Sequence, residues 1–281
     1  MKKILVPTDF SPNANKALYY AVEIAKAAKA EILLVHVSDL VDSPFRDKTE
    51  LEIKYKLPVD DAIQQEFAMI KKNVEDDKQL TISTQLYAGQ VTATITRAAE
   101  ENNADMIVMG TLGEAAFKEK LFGSITAAVI GKANIPVLAI PLLGEWDIPK
   151  HVLIVVNHFE EQPTITNPAF ELAALFNAKV TVAVFTDKDT AVAVDYLENT
   201  RNILAYEEKL KAVYTDTILE PVKLTGHKFQ ETLDEYIDEN YVDILVMLTH
   251  KRNFAESIFN RSMTKKMSYH TNTPLLALPV Q

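Results

Sequence analysis

Three of the seven glycines in the chain fall in one short segment whose residue types could bind a phosphate group. In MGTLGEAAFKEKLFGS, Gly110 and Gly113 are followed, after nine intervening residues, by Gly123 and Ser124, which gives the pattern G-x2-G-x9-G-S. Glycine tolerates positive φ and lets a ligand approach the backbone, and the free N–H groups at a helix start favour an anion. The segment therefore predicts a phosphate-binding loop, or more simply a turn that leads into a helix.

A second candidate is the acidic turn that follows the first apolar run, KILV. Pro7, Thr8 and Asp9 lie just before Ser11 and Pro12, which are suited to the N-cap and the first position of a helix. Asp9 could contact a polar ligand, or it could stabilise the positive end of this helix electrostatically. The two roles are compatible, and the sequence leaves both open.

Alternating strands and helices would bring these motifs together. Apolar strands separated by helices indicate a parallel sheet that is covered on both faces, and ligands of such sheets bind beyond the carboxyl ends of the strands. Asp9, Val37 and Gly110 all fall at such ends. The strands predicted for the first half are 3–6, 31–37, 81–87, 105–109 and 136–140, and the helices are 12–28, 60–74, 91–102 and 124–133, with 42–59 left as a loop.

The chain contains an internal repeat. The segments ADMIVMG and NIPVLAIPL recur 138 residues later as VDILVML and NTPLLALPV, and KILVPTDF is echoed by VLIVVNHF. Three matches in the same order predict two tandem α/β domains, at 1–143 and 150–281. Each is expected to be a doubly wound, Rossmann-like domain with a parallel five-stranded sheet.

The opening KKILVPTDFS, the glycine segment and the closing NIPVLAIP together resemble the universal stress protein family. The resemblance implies ATP in the first domain, with Asp9 at the ribose or adenine edge, Val37 against adenine and the glycine–serine segment around the phosphates. Leu112 and Glu114 depart from the basic or polar pair that is common in the family. The implied contact residues are Pro7, Thr8, Asp9, Val37, Met109, Gly110, Gly113, Gly123, Ser124 and Ile125.

The second half lacks most of this pattern. Leu248, Lys251 and Arg261 stand where the first half has its three glycines, Ser262 matches Ser124, and His158 replaces Asp9. We therefore expect one ATP per chain, with Mg²⁺ bound only through the phosphates. The second half is expected to be a degenerate domain of the same fold.

The resemblance also implies how the two domains associate. Last strands of this family commonly pair between subunits, and exposed apolar edge strands favour such pairing. We therefore expect strands 136–140 and 274–278 to pair within the chain as an intramolecular pseudo-dimer. A homodimer of whole chains is a further possibility.

The composition and charge of the chain exclude several classes of function. The chain has no cysteine, which excludes disulfides and thiolate sites, and its net charge of −10 argues against a nucleic-acid partner. Pro7 and Asp9 interrupt the first apolar run too early for a signal peptide, and no stretch approaches the roughly 18 apolar residues of a membrane span. The six histidines show no metal-ligand spacing. We expect a cytoplasmic ATP-binding stress-response protein without a nameable catalytic residue; the alternatives are a protein-interaction module without nucleotide and a slow ATP hydrolase.

Overall fold

The computed structural model describes residues 1–38, 51–75, 80–111, 123–156, 163–189, 191, 193–215, 219–250 and 272–280. The first half contains β1 (Lys3–Pro7), α1 (Pro12–Ala28), β2 (Glu31–Ser38), α2 (Leu51–Glu75), β3 (Ile82–Ala88), α3 (Val91–Glu101), β4 (Met106–Gly110), α4 (Ser124–Lys132) and β5 (Val137–Ile140). The second half contains β6 (His151–Val156), α5 (Asn167–Phe176), β7 (Lys179–Asp187), α6 (Ala193–Val213), β8 (Leu219–Gly226), α7 (Phe229–Asn240), β9 (Ile244–His250) and β10 (Leu275–Val280).

The strands form one ten-stranded sheet in the order β3-β2-β1-β4-β5-β10-β9-β6-β7-β8. Each half contributes five parallel strands, which confirms the predicted fold class. The halves meet at an antiparallel pair in which Leu276 of β10 lies opposite Leu138 of β5. The predicted pairing of the two last strands is therefore confirmed. It buries two apolar edges that would otherwise be exposed.

Both faces of the sheet are covered, which explains the continuous apolar strands. Successive side chains of a strand point to opposite faces. In β1, Ile4 and Val6 join the cluster that contains α1, whereas Leu5 joins the cluster that contains α3 and α4. All three side chains are fully buried.

Helix α1 begins where the sequence predicted. The Ser11 side chain accepts a hydrogen bond from the backbone N–H of Ala14 at 3.2 Å, and Pro12 occupies the first turn. Ala17, Ala21 and Ala25 are fully buried against the sheet. Because these side chains are small, the helix can lie close to the strands.

Helix α2 is longer than the predicted 60–74. It begins at Leu51, so Pro58 lies inside it rather than before it. A proline removes one backbone hydrogen bond and usually ends a helix, which is why the sequence indicated a later start. Ile63 and Phe67, one turn apart, are buried and anchor the helix to the core. Residues 42–50 of the predicted loop lie outside the described residues.

An aspartate holds the central strands together in the same way in both halves. Asp105 accepts from the backbone N–H of Lys3 at 2.9 Å, and its own N–H donates to the Lys3 carbonyl at 2.9 Å. Asp243 makes the equivalent two bonds with His151, both at 2.9 Å. The repeated aspartate of ADM and VDI is therefore a structural clamp at the amino ends of these strands.

Candidate functional site

The turn after β1 is held by hydrogen bonds from its own side chains. Phe10 adopts a left-handed conformation with φ 62°, which is uncommon for a residue other than glycine. Its backbone N–H donates to Thr8 Oγ1 at 2.9 Å, and the Ser11 N–H donates to Asp9 Oδ1 at 3.1 Å. Thr8 is buried, whereas Asp9 is exposed at the tip. Asp9 thus hydrogen-bonds the residue that caps α1, and its side chain is exposed to solvent.

The rings of His36, Phe10 and Phe67 pack together at this turn. The sequence analysis did not identify this contact. His36 Nδ1 lies 2.8 Å from the carbonyl oxygen of Thr8, so this nitrogen carries the proton and donates. The His36 ring stacks on Phe10 with centroids 4.9 Å apart, and Phe10 contacts Phe67 edge-on at 5.6 Å. A histidine at the carboxyl end of a buried strand was the available signal. The stack fixes the backbone that presents Asp9.

Val37 lies beside this turn at the end of β2. In the parallel register Pro7 is opposite Val35, so Val37 extends the sheet edge two residues further. It is opposite Tyr87 of β3 and half-buried. An exposed part of an apolar side chain at this edge suits a flat, apolar ligand surface.

At the end of β4, the conformation of Gly110 and the burial of Met109 differ from what the sequence predicted. Gly110 does not adopt positive φ; the glycines that do, among the described residues, are Gly89 and Gly144. A Cβ at Gly110 would lie 2.7 Å from Asn13 Nδ2 and 3.0 Å from the Asn13 carbonyl oxygen. Glycine is therefore required here by close packing on α1. Met109 is buried in the core, so only its backbone is available at the edge.

Helix α4 starts against the end of β4. The Gly123 N–H donates to the Thr111 carbonyl oxygen, and Thr126 Oγ1 donates to the Gly110 carbonyl oxygen at 2.8 Å. Gly123 is the N-cap, with φ −64° and ψ 157°, a conformation open to any residue, and it provides no side-chain cap. The first-turn N–H groups of a helix have no acceptor within it. Ser124 and Ile125 are exposed there.

The structure thus brings together most of the predicted site. The turn at 7–9, Val37, Gly110 and the start of α4 share the carboxyl edge of the first five strands. Gly113 lies outside the described residues, as do Leu112, Glu114, Lys118 and Lys120 of the same segment. Of the second-half counterparts, Leu248 lies in β9, and His158, Lys251, Arg261 and Ser262 lie outside the described residues.

Two further properties bear on the class of ligand and on membrane association. Within the described ranges, no group of three or more His, Cys, Asp and Glu side chains is arranged to hold a metal ion. No described helix is long and apolar enough to cross a bilayer.

The chain is similar in sequence to proteins of known family. The sequence profile of the Universal stress protein family matches twice, at residues 1–141 and 149–279. Universal stress protein MJ0577 of Methanocaldococcus jannaschii is 35% identical over 156 residues, covering 50% of this chain and 94% of that protein. A universal stress protein solved in complex with cAMP is 22% identical over 50% of this chain and 96% of its own, with a TM-score of 0.36.

One solved structure matches almost the whole chain. The crystal structure of a universal stress protein from Archaeoglobus fulgidus superimposes with a TM-score of 0.76 at 17% identity, covering 99% of this chain and 98% of that one. At this identity the likeness shows the fold alone. Because the family profile matches both halves, the chain belongs to the universal stress protein family as a tandem-domain member.

Proposed function

We propose that the chain binds one adenine nucleotide, ATP, in its first domain and uses it for regulation or stability in a cytoplasmic stress response. The observation that carries the proposal is the shared edge of the Asp9 turn and the start of α4. Asn13 packs on Gly110, and Thr126 Oγ1 bonds the Gly110 carbonyl. These contacts hold the two candidate ligand groups at one end of the sheet.

Each group at this edge has a distinct chemical role in the proposal. The exposed Asp9 carboxylate accepts hydrogen bonds from ribose hydroxyls or the adenine edge, and Val37 provides an apolar surface for the base. Backbone N–H groups at Ser124 and Ile125 face the phosphates, where the positive end of the helix favours an anion. Gly113 completes the phosphate loop. Mg²⁺ binds through the phosphates, as it commonly does in nucleotide sites.

In this proposal the two domains have different roles: domain 1–143 binds ATP, and domain 150–281 does not. The second has residues other than glycine at all three counterparts of the glycine segment and lacks the Asp9 carboxylate. We therefore assign it a structural role through the β5–β10 pair.

The test identifies the nucleotide and then removes its contacts. Freshly purified protein is denatured, and any released nucleotide is identified by mass; ATP is the expected result. Asp9→Asn should weaken ATP binding in calorimetry, because a neutral amide forms weaker hydrogen bonds than a carboxylate. The matched control is Asp61→Asn, which changes an exposed acid on α2. Absence of nucleotide, together with no binding heat at millimolar ATP, would contradict the proposal.

A further inference from the structure

The segment that joins the two halves, residues 141–150, is hydrogen-bonded to α1 of the first half. Lys16 Nζ donates to the carbonyl oxygens of Leu142, at 2.9 Å, and Gly144. The Tyr20 hydroxyl donates to the Glu145 carbonyl oxygen at 3.0 Å. Burial lowers the pKa of Lys16, although the nearby Glu145 carboxylate opposes this. The carbonyl acceptors stabilise the lysine in this position, and the joining segment follows a defined path as a result.

This path places Trp146 between the two halves, beside a cavity of about 130 Å³. The rings of Tyr20 from α1, Trp146, and Phe176 from α5 all line the cavity. The ring centroid of Trp146 lies 4.8 Å from that of Tyr20, with an interplanar angle of 85°. It lies 5.7 Å from the ring centroid of Phe176, with an interplanar angle of 69°. Adjoining rings at steep angles form walls of different orientation. Aromatic faces are the surfaces on which proteins bind quaternary ammonium groups.

The charges that line the cavity are all negative. Glu145, Asp147 and Asp243 contribute carboxylates, and no Lys, Arg or His is among the described lining residues. Burial raises the pKa of the Tyr20 hydroxyl, and the Asp243 carboxylate raises it further, so the negative field reaches the aromatic wall. Lys150 lies nearby, 4.0 Å from Asp147, but both side chains are about four-fifths exposed. Water therefore screens the charges of both side chains.

Two carboxylates of the cavity already accept backbone hydrogen bonds. Asp243 Oδ2 accepts from the backbone N–H groups of Lys150 and His151, at 2.7 and 2.9 Å. Asp147 Oδ1 accepts from the Ile148 N–H at 2.7 Å. A ligand that needs only charge and apolar contact, such as a methylated ammonium, does not have to compete with these backbone donors.

We propose that this cavity between the halves binds a small methylated ammonium cation, held by the Tyr20, Trp146 and Phe176 rings and neutralised by Glu145 and Asp147. The volume accommodates a group larger than a single water molecule. The site is separate from the nucleotide site: it lies at the amino ends of β9 and β10 and beside the middle of α1, whereas the Asp9 turn precedes α1 at the carboxyl ends.

The chain provides its own reporter, because Trp146 is its one tryptophan. The whole protein is titrated with choline chloride while tryptophan emission is followed, with NaCl at matched ionic strength as the salt control. The neutral isostere 3,3-dimethyl-1-butanol tests whether charge is required, and calorimetry repeats the titration without relying on fluorescence. We expect a saturable response to choline that neither the isostere nor NaCl reproduces.

Variants then test the walls and the charge separately. Phe176→Leu should weaken choline binding about fivefold or more, given the usual strength of a cation–π contact. Glu145→Gln combined with Asp147→Asn should weaken it by a smaller factor, because both carboxylates are exposed and water screens their charge. Glu23→Gln, a charge change on α1 away from the cavity, should leave choline binding unchanged; melting curves confirm that each variant folds. A response that the isostere matches, affinity unaffected by both sets of variants, or no response by either method would overturn the proposal.

Discussion

The two halves share their framework but differ at the edge where a ligand would bind. The Asp105 clamp on Lys3 is repeated by Asp243 on His151 with the same bond lengths. At the carboxyl edge, the second half has His158 in place of Asp9, and Leu248, Lys251 and Arg261 in place of the three glycines. Residues that build the sheet are therefore retained in both copies, whereas residues exposed at the edge have diverged. The comparison of the two copies therefore separates residues that stabilise the fold from residues at the candidate ligand site.

The largest expected effect on ATP binding comes from replacing Gly123 with arginine, the residue at the equivalent position, Arg261, of the second half. Gly123→Arg places a bulky side chain where phosphate oxygens would approach the α4 N–H groups. Its backbone conformation, φ −64° and ψ 157°, accepts arginine without strain, so apo stability should change little. Loss of two hydrogen bonds to a charged group weakens ATP binding by about two orders of magnitude or more.

Thermal melting with and without ATP measures this effect. The control is Ala27→Arg, which adds the same charge and bulk at an exposed position near the far end of α1. If ATP raises the melting temperature of Gly123→Arg as much as that of the parent, Gly123 is a turn glycine and the phosphate assignment fails.

Gly110→Ala should destabilise the fold by about 1–3 kcal/mol, the usual cost of overpacking. The added methyl group would meet the Asn13 side chain at 2.7–2.8 Å and the Asn13 carbonyl oxygen at 3.0 Å. Urea unfolding measures the loss. In a double-mutant cycle, Asn13→Ala should recover part of it because the side-chain clash is removed. Additive effects of the two substitutions would argue against this contact.

His36→Phe should weaken ATP binding about fivefold, since the hydrogen bond to the Thr8 carbonyl is lost while a ring remains to stack on Phe10. This corresponds to about 1 kcal/mol, the typical net value of one hydrogen bond. Calorimetry measures the change. The second arm compares ATP with 2′-deoxy-ATP: a smaller preference for ATP in the variant would show that His36 positions Asp9, and an unchanged preference would limit the stack to a structural role.

The smallest effect is a pH dependence in the second half. Burial lowers the pKa of His151, which is almost fully buried and hydrogen-bonded to Thr181 and Asn240. The unfolded state therefore takes up this proton first. Stability should fall as pH drops below about 6.5, the ordinary histidine pKa, until the native state is protonated too.

His151→Gln should flatten this slope between pH 7 and pH 5 while lowering overall stability. Equal slopes for the parent and His151→Gln would contradict the assignment.

Local signals predicted most of the fold. Apolar runs located the five strands of the first half within one residue at each end. Ser11–Pro12 located the start of α1, and the family resemblance, together with two apolar edge strands, implied the β5–β10 pair. The start of α2 was wrong because a single proline, Pro58, indicates a helix end, although buried contacts can carry the helix through it.

Contacts between distant residues explain what the sequence could not predict at the site. Gly110 was assigned to ligand approach, but its requirement arises from Asn13, 97 positions earlier, which only the folded chain brings near. The His36–Phe10–Phe67 stack likewise joins three separate elements. The spacing of glycines indicated where a ligand could bind, whereas the packing that positions the turn depends on tertiary structure.

Calorimetric stoichiometry with ATP tests the comparison of the two halves most directly. The parent chain, stripped of bound nucleotide by refolding, is titrated with ATP and Mg²⁺, and Gly123→Arg is titrated in parallel. We predict close to one ATP per chain for the parent and no measurable binding for the variant at the same concentrations. A stoichiometry near two, or one site that survives Gly123→Arg unchanged, would contradict the assignment of the nucleotide to the first half.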